Sequence, residues 1–396
     1  MRLTGLALLL AGLLAACGNA QSSDTRDWQT ILAEDGLAAA EAKLDAGPAA
    51  PDTDFARAGL QFLLAVEAVL QVRYDNSAQP VPLFPGMDTE IPPNPEGAFD
   101  PAFVETAMTR ALGNLARAEA TLDGLAGQDF AVEVPLGAIW FDINANGERD
   151  DWETGNGLLA EMTDTGTSEE AVTVRFDTAD AYWLKAYVHA LSGSAELILS
   201  VDPTPAIETV YEGRKKLNAI GQPQRLFIEN EQLDALVATL LALRGAPERE
   251  RTRRAHAHFL SMVDENRKFW EAVALETDND REWLPNADQV SAFGVPVSAE
   301  TAEGWQQTLS EIEDILKGRT LLPTWRFNND RNAETGVGVN VSTFLQDPGD
   351  LDIILMIHGA GLAPYLETGP LAGGSAWREF GNQTGTDGFL FALWFN

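Results

Sequence analysis

The stretch from Asp142 to Glu153 constrains this chain more than any other. It reads Asp142-Ile143-Asn144-Ala145-Asn146-Gly147-Glu148-Arg149-Asp150-Asp151-Trp152-Glu153. Oxygen-bearing side chains fall at loop positions one, three, five, nine and twelve, with glycine at six, which is the spacing of a twelve-residue cation loop. Asp142, Asn144 and Asn146 each offer one side-chain oxygen, and Gly147 permits the sharp turn. Glu148 offers its backbone carbonyl, Asp150 a carboxylate directly or through water, and Glu153 both carboxylate oxygens. Calcium takes six to eight hard oxygen ligands, and this set supplies them. The expected cofactor is therefore calcium. The competing reading is an Asx-rich turn without metal.

The loop resembles those of EF-hand proteins, over twelve residues of the 396. Its flanks depart from that family. Val132 to Phe141 reads as extended, and Thr154-Gly155-Asn156-Gly157 delays any exiting helix. No second loop of equal quality is present to pair with it. The resemblance implies a solitary calcium clamp rather than a paired sensor.

The N-terminus carries a second signal. Met1-Arg2 is followed by an apolar, small-residue run from Leu3 to Ala16, too short for a stable membrane span and suited to a secretory signal. It ends in Leu14-Ala15-Ala16-Cys17-Gly18, and Cys17 is the chain's only cysteine. This resembles the bacterial lipobox. The resemblance implies cleavage after Ala16, lipidation of Cys17 and a membrane anchor of acyl chains. Gly18 stands where an aspartate tends to retain such proteins at the inner membrane, so the resemblance favours the outer membrane. The expected organisation is a signal peptide over 1–16, a lipidated tether over 17–27, a helical body over 28–320 and a C-terminal part over 321–396. A mature chain with one cysteine forms no intrachain disulfide.

There are 27 Lys+Arg against 60 Asp+Glu, a formal net charge of -33. Such a surface repels nucleic acid at long range and attracts cations and basic partners. No nucleic-acid partner is expected.

The body reads as mainly α. Trp28, Ile31, Leu32, Leu37, Ala40 and Leu44 recur at helical spacing, with Gly36 as a break. A second helix is expected over 54–72, a third over 101–125, and others over 232–243, 247–275 and 299–317. Ala171 to Phe176 reads as a strand, after which Asp177 caps a long helix with Asp180 in its first turn. Seven prolines between Pro80 and Pro101 exclude a helix there. A loop draped over the body, anchored by Leu83, Phe84, Ile91 and Phe99, is expected. The segment 115–124 echoes 37–46, which suggests helix pairs packed through alanine. The echo is similar to solenoid-like, tetratricopeptide-type packing, but its period is wrong and two copies are too few for a solenoid.

From Leu321 the pattern changes. Gly338 to Val341, Asp352 to Ile357 and Phe389 to Phe395 read as strands, the second as a buried one. The expected fold is therefore mainly α with a small β-containing C-terminal part. The aromatic end of the chain does not make a β-barrel, because the many alternating strands a barrel needs are missing.

Catalytic motifs are sparse. His256 and His258 are two apart on a helix and point to different faces, so they do not share a metal. His358-Gly359-Ala360-Gly361 after an expected strand is similar to the oxyanion loop of esterases, yet no Gly-x-Ser-x-Gly elbow accompanies it. Asn328 to Glu334 reads as a hairpin or surface turn, and Asp278 to Asp280 as a solvated interhelix loop. Arg249, Arg251, Arg253 and Arg254, interleaved with Glu248 and Glu250, read as pairing with carboxylates on a neighbouring helix. The alternative is a docking site for an acidic partner.

Three functions fit these observations. The first is a non-enzymatic, calcium-binding envelope lipoprotein that acts as a scaffold or binding module. The second is a hydrolase of envelope or extracellular polymers with a structural calcium. The third is an accessory of transport or envelope assembly that docks a protein through 80–101 or the arginines.

Overall fold

Gly36 breaks the first helical stretch in two. Its φ of +85° lies in the region that glycine favours, and a Cβ there would meet the Trp140 ring at 3.1 Å. The helices on either side are α1 (Trp28–Asp35) and α2 (Leu37–Asp45). The computed structural model describes residues 25–76, 91–153, 172–221, 230–327, 333–384 and 395.

The body is a layered set of long helices. They are α3 (Pro51–Asn76), α4 (Phe103–Asp123), α5 (Thr178–Ser200), α6 (Thr204–Ile220), α7 (Asn230–Ala242), α8 (Arg249–Val273) and α9 (Ala299–Leu316). In the central layer α3 packs on α4, α4 on α5, and α5 on α8. The contact faces hold fully buried alanines at Ala58, Ala65, Ala111, Ala118, Ala195 and Ala255. Small residues there let the backbones approach closely. α3 is the one described helix long and apolar enough to cross a membrane, but 67% of its apolar window is buried in the fold, as in a core helix.

The echo between 37–46 and 115–124 has structural content. Leu37, Ala40 and Leu44 are buried on α2, and their counterparts Leu115, Ala118 and Leu122 are buried on α4. Glu41 on α2 accepts from Gln61 Nε2 of α3 at 3.0 Å and from Arg117 of α4, which ties the three helices together.

The β structure is small and antiparallel. β1 (Ala131–Pro135) pairs with β2 (Thr173–Asp177), with Ala131 opposite Asp177 and Pro135 opposite Thr173. β3 (Arg244–Gly245) pairs with β6 (Leu351–Asp352). β4 (Leu322–Pro323), β5 (Thr335–Val339) and β7 (Leu366–Pro370) form a three-stranded sheet with β5 in the middle. The described C-terminal segment also holds α10 (Val341–Gln346), α11 (Ile353–His358) and α12 (Ser375–Thr384). The mainly helical fold with small sheets toward the C-terminal half agrees with the sequence.

One local expectation changes. The run 353–357 is not a buried strand. Only Leu351–Asp352 pairs as a strand, and α11 follows, because Asp352 Oδ1 caps the amides of Ile354 at 2.9 Å and Leu355 at 3.1 Å. Ile354, Leu355 and Ile357 are exposed on it. A short apolar run reads alike as strand or helix by pattern, and here the cap decides. α6 was not foreseen. Where the expected tether meets the body, Arg26 pairs with Glu34 and Asp35, and Asp27 caps α1 through the Thr30 amide at 2.7 Å.

The expected strand 389–395 lies outside the described residues except for Phe395, which is buried against Trp270, Trp305 and Phe380. Leu83 and Phe84 of the proline-rich stretch also lie outside. Ile91 packs against the core, and Phe99 stacks on Tyr211 with centroids 4.3 Å apart.

Candidate metal sites

Residues 142–153 fold into a loop whose carboxylates and amides turn inward. Glu153 is fully buried. Its Oε1 accepts from the amides of Ile143 at 2.7 Å and Asn144 at 3.0 Å, and its Oε2 accepts from the Asp150 amide at 3.2 Å. The residue at position twelve thus closes back on positions two, three and nine. Asp142 Oδ1 and Asn144 Oδ1 both accept from the Asn146 amide at 3.0 Å, and Asp142 Oδ2 accepts from Gly147 at 3.0 Å. Asn146 Oδ1 accepts from the Glu148 amide at 2.7 Å, and Asn144 Nδ2 reaches Asp150 Oδ2 at 2.7 Å. Gly147 takes a φ of +76°, as its place at position six requires, and Ala145 takes +55°. Glu148 is exposed, so its side chain stands away from the loop centre.

α3 holds this loop from behind. Gln71 Nε2 donates to the Asp142 carbonyl at 2.7 Å, and Glu67 Oε2 accepts from the Asp142 amide at 2.9 Å. Tyr74 stacks on Trp152 with centroids 5.8 Å apart. Burial pushes the Glu67 carboxyl up to about 7. The Asp142 amide opposes that shift, and the Asp142 and Glu153 charges add to it. The Glu153 carboxyl is also raised, chiefly by burial. Burial and the neighbouring carboxylates both disfavour the charged form of Glu67 and Glu153 here.

Among the described residues, two clusters bring three ligand atoms within 4.8 Å of one another, and neither is the loop. One is Glu119, His189 and His258; the other is Asp177, Glu276 and Glu282. Both could hold a metal ion.

The histidine cluster joins three helices. Glu119 comes from α4, His189 from α5 and His258 from α8. The two histidine Nδ1 atoms are 3.0 Å apart, with ring centroids at 5.3 Å. Burial pushes His189 down to about 4, helped by the charge of His258, and burial also lowers His258. Burial thus favours the neutral form of both rings, the form that can ligate a metal. His256 points elsewhere, its Nε2 lying 2.7 Å from the Leu316 carbonyl. The two-residue spacing of His256 and His258 does separate them, as expected, but sequence reading missed the meeting of His258 with His189. The available signal was Gly193 four residues after His189, since a helix glycine marks a close crossing.

The acidic cluster sits where β2 enters α5. Asp177 caps α5 through the Ala179 amide at 3.0 Å, and Asp180 Oδ2 accepts from the Asp177 amide at 2.9 Å, completing the expected cap as a reciprocal box. Asp278 pairs with Arg175 at 3.0 Å, and Glu282 accepts from the Asp280 amide at 2.8 Å. Residues 278–280 are exposed and lie outside any helix or strand, as expected of a solvated loop, and Asp278 reaches the cluster through Arg175.

The arginine group is paired internally. Glu196 of α5 accepts from Arg251 at 2.8 Å and from Arg254 at 2.8 and 3.0 Å. Arg249 pairs with Asp347 at 2.7 Å and Arg253 with Glu250 at 2.9 Å. His358 is exposed at the end of α11, before the left-handed cap Gly359, so it follows a helix and not a strand. Cys17, 154–157 and 328–332 lie outside the described residues. No family model, curated protein or solved structure matches this chain.

Proposed function

We propose that this chain is a calcium-binding lipoprotein of a bacterial envelope, anchored through Cys17 and acting as a non-enzymatic scaffold or binding module. The observation that carries the reading is the inward closure of the 142–153 loop on buried Glu153. Asp142, Asn144, Asn146, the Glu148 carbonyl, Asp150 and Glu153 would hold the ion. Calcium would supply charge neutralisation at a joint where α3 meets the chain between β1 and β2. A divalent ion there offsets the repulsion among Glu67, Asp142 and Glu153 and fixes the loop against Gln71. The lipid anchor and an outer-membrane address rest on the Leu14 to Gly18 pattern alone.

The test is a thermal melt of purified chain in calcium and in chelator, with mass spectrometry of protein from a bacterial membrane fraction. A higher melting temperature in calcium, lost in Glu153→Gln, supports the calcium part. Coincident melts in calcium and chelator refute it. An N-terminal acylated Cys17 supports the anchor, and an unmodified one refutes it.

A further inference from the structure

We infer that Glu119, His189 and His258 form a second metal site, specific for a divalent transition ion of the zinc class, which staples α4, α5 and α8. The donor set is two imidazoles and one carboxylate. That set suits zinc and its neighbours, while calcium prefers oxygen alone.

The geometry agrees with a shared ion. Zinc–nitrogen bonds of about 2.0–2.1 Å at a tetrahedral angle place two ligand nitrogens about 3.3 Å apart. The His189 and His258 Nδ1 atoms stand at 3.0 Å, so a small outward shift admits the ion. The alternative is a single hydrogen bond between neutral rings. That alternative gives no part to the Glu119 carboxylate, which has an oxygen within 4.8 Å of a ligand nitrogen of each ring. Nearby cations are committed elsewhere. Lys185 pairs with Asp123 at 2.7 Å and Glu265 at 3.0 Å, and Arg254 with Glu196 at 2.8 Å. The half-buried positions of Glu119 and His258 leave a path from solvent to the site. Three protein ligands leave a fourth coordination position for water or a small anionic ligand.

The site is independent of the calcium loop, and its test keeps the two apart. Full-length chain is stripped with chelator, saturated with calcium, and titrated with Co2+ while visible absorption is recorded. Zn2+ is then added as competitor. One Co2+ per chain, with the absorption of a nitrogen-ligated low-coordinate ion displaced by Zn2+, is the expected result. His258→Ala should weaken binding by at least about 100-fold, since loss of even an outer partner of a metal ligand costs 10–100-fold. Glu119→Gln, at a half-exposed position that tolerates the change, should weaken it as well. Glu153→Gln and His358→Ala should leave it intact. Nuclear magnetic resonance of wild-type protein should show Zn2+ moving the imidazole signals of His189 and His258 but not of His256, a readout that needs no variant to fold. Absence of Co2+ uptake at millimolar metal overturns the inference. So does uptake that survives both Glu119→Gln and His258→Ala.

Discussion

Gly193 of α5 lies against the ring of Phe259 on α8 so closely that a Cβ would sit 2.8 Å from Phe259 Cε1. This crossing is the tightest helix-on-helix approach at a described glycine of the central layer. It also brings His189, one turn before Gly193, beside His258, the neighbour of Phe259. Gly193→Ala forces the Phe259 ring off its position and should destabilise the protein by about 1–3 kcal/mol, the usual cost of overpacking. Gly113→Ala on α4 is the control, because nothing lies within 4 Å of its Cβ position. It should be neutral or stabilising by up to about 1 kcal/mol through helix propensity. Urea unfolding of the two variants measures both values.

The helices were legible because apolar residues recur at helical spacing over long segments, and their ends are marked by the backbone freedom of Gly36 and the side-chain cap of Asp177. The closed turn over 142–153 was legible for a related reason: its glycine and its oxygen-bearing residues all fall within twelve consecutive residues. Glu119, His189 and His258 were not legible. They lie on three helices, with the two histidines 69 positions apart, and no local period reports which helices touch. The exposed α11 was misread because Ile353 to Ile357 is apolar without period, so the Asp352 cap was the only discriminating signal.

Glu67→Gln keeps an acceptor for the Asp142 amide while removing one negative charge beside the loop. In chelator the variant should melt at or above the wild-type temperature, because like-charge repulsion with Asp142 and Glu153 is relieved. In calcium its advantage should vanish, and the gap between calcium and chelator melts should narrow, with calcium affinity lower by about 10-fold or more, as for other outer partners of metal ligands. Calorimetric titration with calcium provides the affinity. An unchanged affinity would detach Glu67 from the loop.

Glu196 is buried and answers two arginines of α8. Burial pushes its carboxyl up, but the hydrogen bonds from Arg254 and Arg251 prevail and hold it below the usual carboxylate range. Glu196→Gln should cost about 1.5–3 kcal/mol, the range for hydrogen bonds to charged groups. It would also deprive Arg254 of its carboxylate partner, while Arg251 keeps Glu248 at 3.0 Å. If the arginine group were a docking site for an acidic partner, the variant would bind an acidic peptide more tightly than wild type. If the pairing is structural only, stability alone changes. A denaturant melt beside a peptide-binding titration separates the outcomes.

The acidic cluster at the start of α5 sets a pH dependence. Burial pushes Glu276 up to about 7, with the charges of Asp177, Glu282 and Asp278 adding and a hydrogen bond from Gln289 opposing. Asp180 is raised well above its ordinary value by burial and by Asp177, and Glu282 and Asp177 are raised chiefly by burial. Arg175 is the cation facing them, through Asp177 and Asp278. A carboxyl with a raised folded-state value binds its proton more tightly folded than unfolded. Its stabilising contribution is complete below the unfolded value near 4.5 and is lost as pH rises through about 7. In chelator, the protein should therefore lose stability between pH 5 and 8 at this cluster. Glu276→Gln removes the titrating group while keeping its shape. It should flatten that slope and gain about 1 kcal/mol at pH 8, a fraction of the full shift because solvent screens a half-buried group. Melting temperatures of wild type and variant across this pH range check the sign. A variant whose slope matches wild type would place the pH dependence elsewhere in the chain.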